Sequence, residues 1–186
     1  MIRLPRTIRL DASDAVVFAH AAAPGEWAVP GTFLFAGCAL DSLGRKERIA
    51  FRSGFLGIDS FGHSTLVVVS EASPAERSAA AAALAAQFVV HLGAPDVATA
   101  LPAAEEELGL AQDLCKDHPV GTLIALHRAA KDEAIVEQFR TLRPRDTSAF
   151  SADYLRGHDR AFHLVETGDD DDHGLDLTRM GQGDHA

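Results

Sequence analysis

Cysteine, methionine and every aromatic residue but phenylalanine are scarce in this chain: two Cys, two Met, one Trp and one Tyr in 186 residues. Cys38 and Cys115 stand 77 positions apart, which makes neither a disulfide framework nor a zinc motif. Both are expected as core residues, and the acids near Cys115 should raise its thiol pKa rather than activate it. Positive charge is short as well. Seventeen Lys and Arg face 27 acids, a net charge of −10. That balance argues against non-specific nucleic-acid binding, which depends on cations neutralising phosphates, and against docking on an anionic membrane. No apolar stretch approaches the ~20 residues needed to span a bilayer. The opening MIRLPRTIRLDASD also lacks an apolar run of signal-peptide length. A reduced, cytoplasmic protein with no membrane partner is the expectation.

What is present is an ordinary globular composition, with 47% apolar residues and ten Phe. The length suits one domain able to bury its own core. Charge is spread unevenly: residues 151–186 hold nine acids against three arginines, a net of −6, and the first 150 residues carry the other −4. The chain therefore divides into a body, 1–146, and an acidic tail, 147–186, expected to be extended or partly disordered.

Along the body, residues 3–9 and 14–20 read as short strands separated by an Asp-Ala-Ser-Asp turn. A Pro- and Gly-punctuated loop follows, and TFLFAG, 32–37, is a third strand candidate. Residues 43–58 fit either period, with helix favoured. STLVVVSEA, 64–72, reads as a strand buried on both faces and central in its sheet. Ser73-Pro74-Ala75-Glu76 is a capping box with Pro at the first helical position, so a helix should run to Leu92 and stop at Gly93. A second helical region, 95–119, should break near Pro102, carry Glu105, Glu106 and Glu107 in its first turns, and face inward through Leu108, Ala111 and Cys115. VGTLIALHRAA, 120–130, and AIVEQFRTL, 134–142, read as a hairpin, although the second also has helical spacing. The fold class is α+β: an antiparallel-dominated sheet with two or three helices packed on one face, plus the acidic tail.

GFLGIDSFGHS, 54–64, invites a catalytic reading. A nucleophile elbow needs Gly two places before and two places after its Ser, then a helix. Gly62 satisfies the second position around Ser60, but Ile58 occupies the first, and a strand follows. A P-loop needs Lys where His63 stands. A plain turn is the better reading, and no catalytic residue is assigned. A ligand pocket is the competing reading, with Glu26 and Trp27 from the preceding loop joining Asp59, Ser60 and His63. A lone Trp more often anchors its loop on the core.

In the tail, Asp159 and His163 share a face if their segment is helical, and Asp172 and His173 adjoin, so carboxylate and imidazole could hold Zn, Ni or Fe. Leu175, Leu177 and Met180 form an apolar island that could fold on a protein partner. A solvated acidic run is the plainer reading of both.

The segments GEWAVPGTFLFAG, AFRSGFLGIDSFG, VGTLIALHR and EQFRTLRPRD together resemble a family of small proteobacterial proteins with a domain of unknown function, over residues of about 3–146. The resemblance implies gene neighbourhoods of molybdenum-dependent formate dehydrogenases and of a biotin/lipoate-ligase-like protein. It thus implies an accessory role beside a redox metalloenzyme or a cofactor-ligase system. It assigns no cofactor and no functional residue. The function expected is therefore a non-enzymatic accessory or interaction protein that reaches a protein partner through its tail. The alternatives are a small-molecule pocket or enzyme site near Trp27, and metal binding by the tail.

Overall fold

The computed structural model describes residues 1–9, 13–131, 134–143 and 165–166. The elements in chain order are β1 (Ile2–Ile8), α1 (Ser13–Val17), β2 (Ala28–Val29), two 3-10 turns (Thr32–Phe35 and Leu40–Ser42), α2 (Arg45–Ser53), β3 (Phe55–Gly57), β4 (His63–Ser64), β5 (Leu66–Ala72), α3 (Pro74–Leu92), α4 (Val97–Cys115), β6 (Leu123–Lys131), β7 (Ala134–Arg143) and β8 (Val165–Glu166). The fold is α+β. One antiparallel sheet has the order β1-β5-β6-β7-β8, and a small second sheet has the order β2-β3-β4. Among the described residues no single helix is long and apolar enough to cross a membrane.

Local signals explain much of this. Ser73 Oγ accepts from the Glu76 N–H while Glu76 returns to the Ser73 N–H at 2.8 Å, so two orphan donors at the head of α3 are satisfied together. Gly93 closes the helix in the left-handed region at φ 73°, as the capping pattern requires. The β6–β7 hairpin pairs in register from Leu123↔Leu142 to Lys131↔Ala134. Residues 43–58 satisfy both periods in turn, first as α2 and then as β3.

Five expectations are corrected. Residues 14–20 do not form a strand; the segment begins in α1, where the buried Asp14 carboxylate accepts from Thr65 Oγ1 at 2.5 Å. Val16 points to solvent and Phe18 to the core, so the segment never presents a strand's alternating face. TFLFAG is a 3-10 turn: Phe33 packs edge-on against Phe88 of α3, whereas Phe35 packs against Phe51 of α2. A tight turn fans consecutive side chains into separate clusters, which the two faces of a strand cannot do. β5 is internal, but it buries one face: Val67 and Val69 are inaccessible and Leu66 and Val68 are half-buried. α4 runs through Pro102 without a break. Proline there removes one backbone bond, and burial of Ala100, Ala104, Leu108, Ala111 and Cys115 along one face outweighs it. Because α4 starts at Val97 behind the Asp96 cap, the three glutamates lie beyond its first two turns.

The core is in three parts. α3 and α4 pack on each other and enclose Leu4, Val29, Leu56 and Ile58. Cys115 joins Val67, Val69, Ile124, Leu126 and Phe55. Phe18, Phe35, Ala50 and Phe51 form the third part, with Ile49 of α2 and Ile135 of β7 at its edge.

Candidate functional site

The glycine-rich turn is the corner between β3 and β4, and its polar groups are committed to holding that corner. Glu26 is buried, and its carboxylate accepts from the Ser60 N–H at 2.7 Å, Ser60 Oγ at 2.5 Å and the Ala23 N–H at 2.6 Å. Ser60 Oγ in turn accepts from the Gly62 N–H. Two glycines make the approach possible. A Cβ on Gly57 would fall 2.6 Å from the Glu26 carboxyl carbon, and one on Gly62 would fall 2.7 Å from the Ala21 carbonyl carbon. Between them Phe61 takes a left-handed conformation, φ 54°, and stacks on His91 with ring centroids 4.3 Å apart.

The five pocket candidates therefore separate. Glu26 and Ser60 meet. Asp59 is exposed, and its carbonyl accepts from Gln87 Nε2 at 2.7 Å. Trp27 packs at the edge of the main core with the Arg6 guanidinium 3.5 Å over its ring, and Arg6 also reaches the Gly25 carbonyl and Glu76. His63 lies beside Phe18 and Phe35 with ring centroids 5.7 and 6.4 Å away, and its buried Nε2 has no hydrogen-bond partner. Burial, with the Arg128 and His20 charges adding to it, brings the His63 pKa down to about 4, so the imidazole is neutral near pH 7. Ser60 and His63 share no hydrogen bond, so this turn builds no nucleophile–base pair.

Arg128 was not singled out from the sequence. Its side chain is fully buried, and its guanidinium joins four segments. Nε donates to Thr32 Oγ1 at 2.8 Å and to Glu137 at 3.0 Å. Nη1 reaches the Phe51 and Gly54 carbonyls at 3.0 Å each, and Nη2 donates to the Pro30 carbonyl. Thr32 Oγ1 also bonds Glu137. Nearby, burial raises the Glu107 pKa to about 7, with Glu137 and Glu106 adding to the shift and Arg128 opposing it. All of these bonds are internal, so the cluster reads as a clamp of α2 and the 3-10 segment onto the hairpin.

The cysteines differ from each other. Cys115 is inaccessible, and burial pushes its thiol up to about 12. Cys38, expected in the core, is exposed: it follows a 3-10 turn rather than a strand, and its Sγ is 3.4 Å from the Leu34 carbonyl. No group of three or more His, Cys, Asp or Glu able to hold a metal occurs among the described residues. The metal candidates Asp159, His163, Asp172 and His173 and the partner candidates Leu175, Leu177 and Met180 lie outside them.

The outer face of α2 carries exposed cations that have no ion pair among the described residues, although Arg48 Nη2 donates to the Leu43 carbonyl at 2.9 Å. Residues 45–52 carry four cations and one acid, and the acid, Glu47, is turned back onto the Gly44 N–H at 2.8 Å. Arg45, Arg48, Ile49 and Arg52 fall at i, i+3, i+4 and i+7, the spacing of one helical face, and the three arginines are exposed. Together with Ile49 they line an open depression of about 240 Å³. Among the described residues none of the three is in an ion pair. The inner face, Ala50 and Phe51, is packed in the core, so the helix is fixed by its apolar side and the arginines are held outward. Guanidinium forks suit carboxylates and phosphates and keep their charge at every physiological pH. The series RKERIAFR was legible as a local charge reversal in an acidic chain; the sequence reading used it only to favour a helix.

No curated protein and no solved structure matches the chain. A family of unknown function, DUF6505, has a profile that matches residues 1–154, and the chain belongs to that family.

Proposed function

We propose that the chain is a non-enzymatic interaction protein that receives an acidic protein segment on the outer face of α2. The observation that carries this reading is the row Arg45, Arg48 and Arg52, exposed on one helical face and without an ion pair among the described residues, on a chain of net charge −10. Three guanidinium groups on one face, none of them paired with an acid among the described residues, offer their charge to an acidic ligand. The half-buried Ile49 among the arginines adds one apolar contact, which suits a peptide with mixed acidic and apolar residues. The polar groups that could suggest a ligand pocket have other occupations: Glu26 and Ser60 hold a turn, and the buried Arg128 holds α2 to the hairpin. In the accessory role that the resemblance implies, the partner would be a redox enzyme subunit or a cofactor ligase of a proteobacterial cytoplasm.

A paired capture from native extract tests this, with the full chain and the full-length Arg45→Glu/Arg48→Glu/Arg52→Glu variant as baits. A protein retained by the first bait, absent from the second and released by raised salt is the expected result. Identical sets of retained proteins from the two baits would overturn the reading.

A further inference from the structure

We infer that the outer edge of β7 is the seat of a homodimer, in which two copies of the chain pair antiparallel through residues 135–141 about a two-fold axis at Gln138. The surface is distinct from α2, and the inference does not depend on the reading of that helix. The main sheet treats its two long flanking strands differently. β1 is covered: the Thr7 N–H donates to the Glu26 carbonyl at 2.9 Å, the Thr7 carbonyl accepts from the Gly25 N–H at 2.8 Å, and Arg6 bridges to Trp27. Pro5, on the same side of β1 as Thr7, has no donor to offer. β7 has no such cover among the described residues. β6 holds one side of it without a break from Leu123↔Leu142 to Lys131↔Ala134, whereas on the other side β8 holds Leu142 and Arg143 alone. About 27 Å of strand, residues 134–141, is left with neither Pro nor Lys to guard it. Ala134, Val136, Gln138, Phe139 and Arg140 are all exposed, and Val136 and Phe139 are large apolar side chains. Such an edge is a template for a further strand.

Backbone direction selects the occupant. Lys131 and Ala134 close the hairpin as a hydrogen-bonded pair, and pair type alternates from there. Ala134, Val136, Gln138 and Arg140 therefore turn their backbone groups towards β6, and Ile135, Glu137, Phe139 and Thr141 turn theirs outward. Arg143 is next in the outward series, and it is the residue that meets Val165 of β8. In a two-fold antiparallel pair, one residue must face its own copy. With Gln138 there, every outward residue finds a partner: Ile135 lies opposite the partner's Thr141, and Glu137 opposite the partner's Phe139. These pairs exchange about eight backbone hydrogen bonds. No like charges meet. Val136 lies under the aliphatic stem of the partner's Arg140, and Glu137 keeps its bond to Arg128. Moving the axis to Glu137 would set two carboxylates face to face, and moving it to Phe139 would require Arg143, which β8 already holds. The strand is thus complementary to itself in one register, and that singles out a second copy.

The test is sedimentation equilibrium of the full-length chain. The weight-average mass should rise towards twice the chain mass between about 1 and 100 µM. Both copies carry a net charge of −10, so added salt should strengthen the dimer, the opposite of its effect on an acidic ligand at α2. Val136→Lys places a cation opposite the partner's Arg140 at both ends of the pair and should raise the dissociation constant about tenfold. Adding Arg140→Glu to that variant sets opposite charges across the same positions and should restore the constant to within about threefold of the natural value. Register is read directly by mild oxidation on a Cys38→Ala background. Gln138→Cys should give a disulfide-linked dimer, and Arg140→Cys, about 14 Å from its own copy, should not. A chain that stays monomeric at about 100 µM would overturn the second copy as occupant and leave the edge to a strand from another protein. A dimer unmoved by Val136→Lys, or dispersed by Arg45→Glu/Arg48→Glu/Arg52→Glu, would overturn β7 as its seat. Dissociation by Val136→Lys without rescue by Arg140→Glu would overturn the register centred on Gln138.

Discussion

Arg128→Met keeps an unbranched side chain of similar length and deletes the guanidinium. Thr32 and Glu137 then keep only each other, while the Pro30, Phe51 and Gly54 carbonyls lose their Arg128 donor in a buried setting. Removing one partner of a buried ion pair costs about 3–5 kcal/mol, because the remaining polar groups stay desolvated and unpaired. A domain has roughly 5–15 kcal/mol in total, so this single change should take a large share of the stability. At about 2–4 °C per kcal/mol for a chain of this size, the melting temperature should fall by about 6–20 °C. The assay is thermal unfolding followed by circular dichroism, with Arg52→Met as the comparison. Arg52 is exposed on α2, so its loss should change stability by no more than about 0.5 kcal/mol. Arg128→Lys should fall between the two, because an ammonium keeps the charge but cannot fork between the Pro30 carbonyl and the carbonyls at the end of α2. A melting temperature for Arg128→Met within about 3 °C of the natural chain, below the 6 °C lower bound, would refute the clamp.

Two further outcomes follow from the buried titrating groups and from the turn. Below pH 6.5 the unfolded chain protonates His63 while the native state resists down to about 4, so this group makes stability rise with pH over that window; Glu107 keeps its proton to about 7 in the native state against 4.5 when unfolded, so it makes stability fall as pH rises from 4.5 to 7. Melting temperatures from about pH 4.5 to 6.5 should therefore climb more steeply with pH in Glu107→Gln than in the natural chain and less steeply in His63→Gln, and superimposable profiles for the three would contradict both assignments. Glu26→Gln replaces a carboxylate oxygen with a donor facing the Ser60 and Ala23 donors, so urea denaturation should show a loss of about 1–3 kcal/mol, while Asp59→Asn on the exposed neighbour should cost under about 0.5 kcal/mol; equal costs would mean the latch is not what holds the turn.

Elements whose stabilising contacts are local in sequence were legible. The Ser73–Glu76 box closes within four residues and states where α3 begins; the β6–β7 hairpin pairs neighbouring runs across a short polar break. Elements whose conformation is set from far away were not. Thr32 is tied to Glu137 across 105 positions, and Asp14 to Thr65 across 51, so the segments around them take up 3-10 and helical turns that their own Val- and Phe-rich patterns do not announce. Pro102 misled for the opposite reason. Its local penalty is real, but a buried stripe from Ala100 to Cys115 is worth more than one lost backbone bond.

The same distinction governs the site. Between Gly25 and Leu43 there is little regular ladder, so the backbone there must find donors and acceptors on side chains. Glu26 and Arg128 supply them, and the Ser-Gly-His spacing of 60–63 follows from closing a corner against Ala21 and Glu26. One signal for this was available. Arg128 continues the inward series Ile124, Leu126, Arg128 of a half-buried strand, where a charge is tolerated only with buried partners. A residue type that suggests chemistry therefore carries little weight in this fold until its hydrogen bonds are accounted for. By that accounting Ser60, Glu26 and Arg128 are occupied. The charges of Arg45, Arg48 and Arg52 remain un-neutralised among the described residues, and that leftover capacity is what directs the search for a partner to the outer face of α2.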